Sequence, residues 1–252
     1  MYISVCTDAV LGQMATADAV RALHAIGVPA FEFWAWEPKD LPAIRKAMDE
    51  TGMTLAAMCT KFYSLVDARA HADYLNGLAQ SVQAAQFLGC KTLITQVGAD
   101  TGEAREVQHA NLVQGLRACV PTLAAAGMTL VVEPLNTAVD HPGYYLTSSK
   151  EGFDIIREVD SPHVRLLFDI YHQQITEGDV LRSILPNLSL IGHFHAAGNP
   201  GRHELSEGEL SYNYIWKQIQ NAGCSHAFGL EYRPIFPWET GVRDALTMAQ
   251  TY

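Results

Sequence analysis

The chain has 252 residues, 48% hydrophobic and 17% charged, with a formal net charge of −10. That is enough apolar material for one large α/β core, and the acidic balance argues against a grip on a phosphate backbone, which needs clustered Lys and Arg. No apolar run approaches the ~18 residues of a membrane span, and five scattered cysteines without a CxxC argue against a disulfide framework or a thiolate zinc site.

The elements alternate from the start. Residues 2–6 are an apolar run of strand length, and a helical pattern over 15–25 follows, with Thr16 as a cap and Gly27 past its end. A second strand covers 30–34, with Glu32 inside it. Asp40 caps a helix that reaches about residue 50 and stops at Gly52. Strand 54–58 leads to a long helix over 69–88, closed by Gly89. Strand 92–97 leads to a helix over 104–125 that ends at Gly127 and carries Pro121 as a candidate kink. The fifth strand is 129–133. Ser148 and Ser149 can cap a helix to residue 159, and strand 164–168 follows. A short helix over 180–185, strand 190–195, a helix over 212–220, strand 228–231 and a final helix over 240–249 complete the chain.

Strands alternating with helices imply a parallel sheet with right-handed crossovers. Eight such units imply a closed (β/α)8 barrel, a TIM barrel, as a single domain over residues 1–252. Near their ends the last four strands are broken by Glu133, by Asp169, by His193 and His195, and by Glu231. In a barrel these strand ends share one face, where active sites sit. A lone glutamate at a strand end is more often a salt-bridge or capping partner. Four such residues on neighbouring strands point to one site.

Glu133, Asp169, His195 and Glu231 form a mainly oxygen donor set, suited to a divalent cofactor such as Mn²⁺, Mg²⁺ or Co²⁺. Open coordination positions would let a hydroxy-carbonyl substrate bind through adjacent oxygens and form an enediolate. Glu133 and Glu231 lie three strands apart and can flank that substrate as an acid/base pair. His193 and His195 share a face of one strand. His195, nearer the strand's end, is the expected ligand, and His193 is either a core histidine or a site residue. His172, three residues past Asp169, reads as a substrate or outer hydrogen-bonding group. Arg202, in a Gly-rich loop beside His203 and Glu204, reads as a solvated residue or as a fork for a substrate carboxylate or hydroxyl. Glu32 is a candidate outer partner, and Trp34 or Trp36 a candidate wall. Lys61, Arg233 and Trp238 have no assigned role.

The stretches VVEPLN, YYLTSSKEGFDIIREVDSPHVRLLFDIYHQQITEGD, LIGHFHAAGNPGRHELSEGELSY and GLEYRP carry a resemblance to the hydroxypyruvate isomerase family, among the xylose isomerase-like barrels. It implies metal ligands at Glu133, Asp169, His195 and Glu231, places His172 and Arg202 near substrate, and makes Glu133 and Glu231 the acid/base pair. It implies a metal-dependent isomerase converting a small hydroxy-carbonyl compound, hydroxypyruvate first. Sequences of that type often carry Gln where this chain has His195. Ketose 3-epimerase relatives carry His there, so epimerisation at C3 of a non-phosphorylated ketose is the alternative. Two other classes compete: an abasic-DNA endonuclease on the same barrel, which the acidity disfavours, and a non-catalytic sugar-binding barrel, which the intact donor set disfavours. With no signal-peptide pattern in the first residues, a cytoplasmic location is the default expectation. No nucleic-acid or membrane partner is expected. A dimer or tetramer is an expectation from the exposed faces of barrels.

Overall fold

The computed structural model describes residues 1–251. Eight strands form a closed barrel in chain order: β1 (Tyr2–Cys6), β2 (Ala30–Phe33), β3 (Thr54–Cys59), β4 (Thr92–Thr95), β5 (Thr129–Val132), β6 (Val164–Asp169), β7 (Ile191–Ala196) and β8 (Ala227–Leu230). Every pairing is parallel, and β1 closes the ring against β8, with Tyr2 opposite Ala227 and Val5 opposite Leu230. β2 and β8 are buried at every position, as strands covered on both faces must be. The expected (β/α)8 architecture is present.

Among the described residues, ten α-helices surround the strands: α1 (Thr7–Val10), α2 (Thr16–Ala25), α3 (Leu41–Thr51), α4 (His71–Leu88), α5 (Arg105–Ala126), α6 (Ser149–Val159), α7 (Ile170–Thr176), α8 (Val180–Ile184), α9 (Tyr212–Asn221) and α10 (Trp238–Gln250). Asp40 caps α3 by accepting from the Ala43 amide at 2.9 Å. Ser148 caps α6. Thr16 is not the cap of α2: Ala15 holds that position, with no side-chain bond, and Thr16 is the first helical residue. α5 runs through Pro121 as one helix. The short segment after α8 becomes a 3-10 turn over Leu185–Leu190, so β7 begins one residue later than expected. Pro186 explains the change, because it has no N–H to continue the α-helical ladder. α1 and α7, of four and seven residues, are too short for hydrophobic periodicity to reveal.

The bore of the barrel has two unlike halves. Ala57, Cys59, Ile94, Val131 and Leu167, from β3 to β6, form an apolar inner cluster. Across from it, Glu32, His193 and His195 from β2 and β7 are buried to within 2% of full exclusion from solvent. A much larger apolar core fills the space involving the surrounding helices. All five cysteines are free and buried, as small core residues. Among the described residues, no helix is long and apolar enough to cross a membrane.

Candidate active site

The polar half of the bore opens at the C-terminal ends of the strands. Glu133 and Glu231 are the first residues past β5 and β8. Their amides still bond to the neighbouring strands, Glu133 to the Thr95 carbonyl at 3.2 Å and Glu231 to the Ala196 carbonyl at 3.1 Å. Strand parity therefore carries over, and the side chains follow the faces of Val131 and Gly229. Asp169 ends β6 and His195 lies inside β7. All four are buried, and each offers one donor atom within 4.8 Å of the others. The four residues expected as ligands are thus brought together. Glu133, His195 and Glu231 line a cavity of about 520 Å³ together with His172 and Arg202, and Asp169 is not among its lining residues.

Asp169 divides its carboxylate between two tasks. Oδ1 caps α7, accepting from the Tyr171 amide at 2.8 Å and the His172 amide at 3.2 Å. Oδ2 stays on the site side, 4.0 Å from Arg202 Nη2 and 3.5 Å from His172 Nε2. Burial raises the Asp169 carboxyl above its ordinary value against the pull of Arg202. Burial also works to raise Glu231, but His195, Arg202 and the Trp34 indole outweigh it and hold Glu231 low. The indole Nε1 donates to Glu231 Oε1 at 2.5 Å, and Arg202 donates to Oε2. Burial works against charge on His195, yet Glu231, Glu32 and Glu133 together raise it well above an ordinary imidazole. The three crowded carboxylates thus draw positive charge from Arg202 and from a proton on His195.

His172 sits in the first turn of α7, fully buried. Its Nδ1 accepts from the Asn136 side-chain amide at 2.6 Å and the Asn136 backbone amide at 3.4 Å. Asn136 is itself fixed, because its Oδ1 accepts from the Val139 and Asp140 amides. This bonding puts the lone pair on Nδ1 and the hydrogen on Nε2. Burial, then Arg202, lowers the imidazole to about 4, so it is neutral at ordinary pH. Nε2 is buried and makes no hydrogen bond. His172 lines the cavity, and its Nε2 donor, 3.5 Å from Asp169 Oδ2, is left without a hydrogen bond.

Arg202 is held in the left-handed region at φ 57, a conformation that costs a non-glycine residue roughly 1–2 kcal/mol. The loop sustains it through two backbone bonds, from the Gly198 amide to the His203 carbonyl at 2.8 Å and from the Arg233 amide to the Arg202 carbonyl at 2.7 Å. The guanidinium lies 5.2 Å from the centre of the Tyr171 ring. It faces Asp140 Oδ1 at 3.8 Å as well as Glu231.

Glu32 and His193 form a layer beneath the four donors. Glu32 Oε2 meets His193 Nε2 at 2.8 Å, and Glu32 Oε1 lies 3.2 Å from His195 Nε2. Burial would raise the Glu32 carboxyl, but the two imidazoles pull it down to about 2. Trp34 lines the cavity, as the sequence allowed, whereas Trp36 bonds to Ser81 and receives Lys61 on its ring. His203 and Glu204 are structural. The His203 ring bonds to the Arg233 carbonyl at 2.9 Å, and Glu204 accepts from the Ile235 and Phe236 amides, so the loops after β7 and β8 are tied together. Trp238 opens α10 and packs against the core. Sequence reasoning missed Asn136 as the residue that orients His172, although it stands in the quoted VVEPLN. It also missed the Lys39–Asp8 ion pair at 2.6 Å on the cavity wall, for which no local signal exists.

The donor set fits a divalent cation. Three carboxylates and one imidazole are hard and borderline ligands, buried and already crowded, and a dication would relieve the repulsion now met by Arg202 and the His195 proton. Fold and site thus define a barrel with an acidic, cation-capable mouth. Residues 20–252 match the family model described as "Xylose isomerase-like TIM barrel". The chain is 33% identical over 172 residues to the hydroxypyruvate isomerase of Escherichia coli (strain K12), covering 68% of this chain and 66% of that one. It is 30% identical over 227 residues to the 2-oxo-tetronate isomerase of Cupriavidus necator, covering 86% of each. A Brucella melitensis protein described as an AP endonuclease, family 2, superposes with a TM-score of 0.92 over 98% of this chain and 99% of its own; at 24% identity this speaks for the fold alone. The chain belongs to the xylose isomerase-like TIM barrel family and is an isomerase, and the resemblance to hydroxypyruvate isomerases read from its motifs is borne out.

Proposed function

We propose that this isomerase is metal-dependent and acts on a short 2-oxo acid bearing a hydroxyl on C3, of the hydroxypyruvate or 2-oxo-tetronate kind. The observation that carries the reading is the buried quartet of Glu133, Asp169, His195 and Glu231 beside the unused His172 donor. The relatives named for these two substrates support the choice of a keto acid.

A divalent ion held by the quartet would supply Lewis-acid charge to the adjacent C2 and C3 oxygens of the substrate. Glu133 and Glu231 reach the quartet from β5 and β8. One carboxylate takes the proton from C3, and the other returns a proton to C2 as the C3 hydroxyl becomes the new carbonyl. The reaction is reversible, so the two exchange roles. His172 Nε2–H donates to a substrate oxygen while negative charge develops on it, and its neutrality makes it a donor that releases no proton. With Glu231 holding an ion, Arg202 would be free to donate to the substrate or to Asp140, which it already faces. Arg233 lines the same cavity two residues beyond Glu231, and among the described residues it has no acidic partner. It is the group proposed to receive the substrate carboxylate, as a guanidinium fork matches one. Leu135, Cys59 and Ile94 give the wall an apolar side that limits water.

A second reading, ketose 3-epimerase, is favoured by a histidine rather than a glutamine at position 195. It uses the same glutamates but returns the proton to the opposite face of the same carbon. The test is turnover by the Mn²⁺-loaded protein on hydroxypyruvate, 2-oxo-tetronate, pentuloses and hexuloses, with products read by NMR. Conversion of either keto acid supports the proposal. Conversion of ketoses alone, with inversion at C3, moves the assignment to epimerase. Binding of metal without turnover on any substrate refutes both.

A further inference from the structure

We infer that Glu32 is a positioning residue for the metal site: it holds the hydrogen of His195 on Nε2, leaving Nδ1 free to bind a cation, and Gly229 exists to give Glu32 room to do so. This rests on the metal reading above and adds a residue from β2, on the far side of the bore, to it.

Three observations carry it. The first is orientation. His195 points Nδ1 at the carboxylates, 3.3 Å from Glu133 Oε1 and 3.5 Å from Glu231 Oε2, and points Nε2 at Glu32 Oε1. The ring can ligate through Nδ1 only if the proton resides on Nε2. The second is unmet bonding. Glu32 Oε1 and His195 Nε2 are both buried, neither makes an aligned hydrogen bond, and they face each other at 3.2 Å. A donor on Nε2 and an acceptor on Oε1 is the pairing that satisfies both atoms. His193 steadies the carboxylate from its other oxygen at 2.8 Å. The third is space. A Cβ on Gly229 would stand 2.0 Å from Glu32 Oε1 and 2.8 Å from His195 Cδ2. Any larger residue there displaces the very carboxylate that meets the ring. The arrangement is a carboxylate–histidine–metal relay, in which the outer carboxylate fixes the tautomer and strengthens the ligand.

Glu32, His193 and His195 could themselves be taken for a second cation site, since their donor atoms also lie within 4.8 Å of one another. The Glu32–His193 bond already uses two of those donors, and the test separates the two ideas. The full-length protein, stripped with EDTA, is titrated with Mn²⁺ by calorimetry as wild type, Glu32→Gln and Gly229→Ala. Glutamine removes the charge and can accept from only one of the two imidazoles. Alanine keeps every ligand and pushes the carboxylate away. Both variants are expected to bind one equivalent about 10–100-fold more weakly than wild type. In parallel, long-range ¹H–¹⁵N correlation on wild-type protein loaded with Mg²⁺ is expected to show His195 protonated at Nε2 and bare at Nδ1. That spectrum needs no variant, so it decides the matter even if both substitutions misfold. A bare Nε2, affinity within twofold of wild type in a folded variant, or a wild-type stoichiometry of two that falls to one in Glu32→Gln overturns the inference. Wild type that binds no divalent ion defeats the metal reading itself.

Discussion

Replacing His172 by glutamine should flatten the acid side of the protein's stability profile. Burial and Arg202 lower this imidazole to about 4, against 6.5 for an unperturbed histidine. Between those values the unfolded chain binds a proton that the folded chain refuses. Stability is therefore complete above about pH 6.5 and falls as pH drops through the window down to about 4. Over the whole window the loss is about 3 kcal/mol, and between pH 7 and pH 5 it is about 2 kcal/mol. Glutamine has no proton to gain but can still accept from Asn136. The assay is urea unfolding of EDTA-stripped wild type and His172→Gln at pH 7 and pH 5, comparing the change with pH in each. Wild type should lose about 2 kcal/mol more than the variant across that interval. Equal losses, within about 0.5 kcal/mol, would refute the claim that His172 is a buried neutral donor. The role given to it beside the substrate would then fall too.

Three further outcomes follow from the site. Glu133→Gln and Glu231→Gln, each preserving shape, should lower kcat about 10²–10⁴-fold while circular dichroism stays that of wild type, because each removes one half of the proton transfer; kcat within tenfold would remove that residue from the acid/base role. Arg233→Met should raise KM for a keto acid about tenfold or more, in line with the ~1.5–3 kcal/mol of a charged hydrogen bond, and leave Mn²⁺ affinity unchanged; an unaltered KM places the substrate carboxylate elsewhere. EDTA should abolish turnover and lower Tm, with Mn²⁺, Co²⁺ or Mg²⁺ restoring both, since an ion that binds only the folded state stabilises it by mass action; a Tm indifferent to added metal would contradict a site built from the quartet.

The barrel was legible because buried parallel strands are short, continuous apolar runs, and because glycines such as Gly52, Gly89 and Gly127 mark the ends of the helices between them. The donor quartet was legible for the same reason, since a charged residue interrupting such a run near its end stands out. Other features depend on closure of the ring. Glu32 and His193 are 161 positions apart in sequence and meet across the bore, with no local pattern to announce it. Trp34 reaches Glu231 over 197 positions. Asn136 orients His172 from a loop whose turn places both its amide and its side chain on one imidazole nitrogen. α7 escaped because seven residues carry too little periodicity, although Asp169 standing two and three residues before two helical amides is an ordinary cap. Thr16 has the residue type that favours a cap, yet it is the first residue inside the helix, a one-residue difference that local pattern does not resolve.

The central claim is proton transfer between adjacent carbons of a keto acid by Glu133 and Glu231. Its most direct test is turnover of hydroxypyruvate by the Mn²⁺-loaded protein in D₂O, followed by ¹H and ²H NMR. The expected product is tartronate semialdehyde with deuterium on C2, and on longer incubation deuterium appears on C3 of the remaining hydroxypyruvate. Product formed with no solvent deuterium at C2 would mean a hydride shift or the return of the same shielded proton by one base, and would contradict transfer by two glutamates.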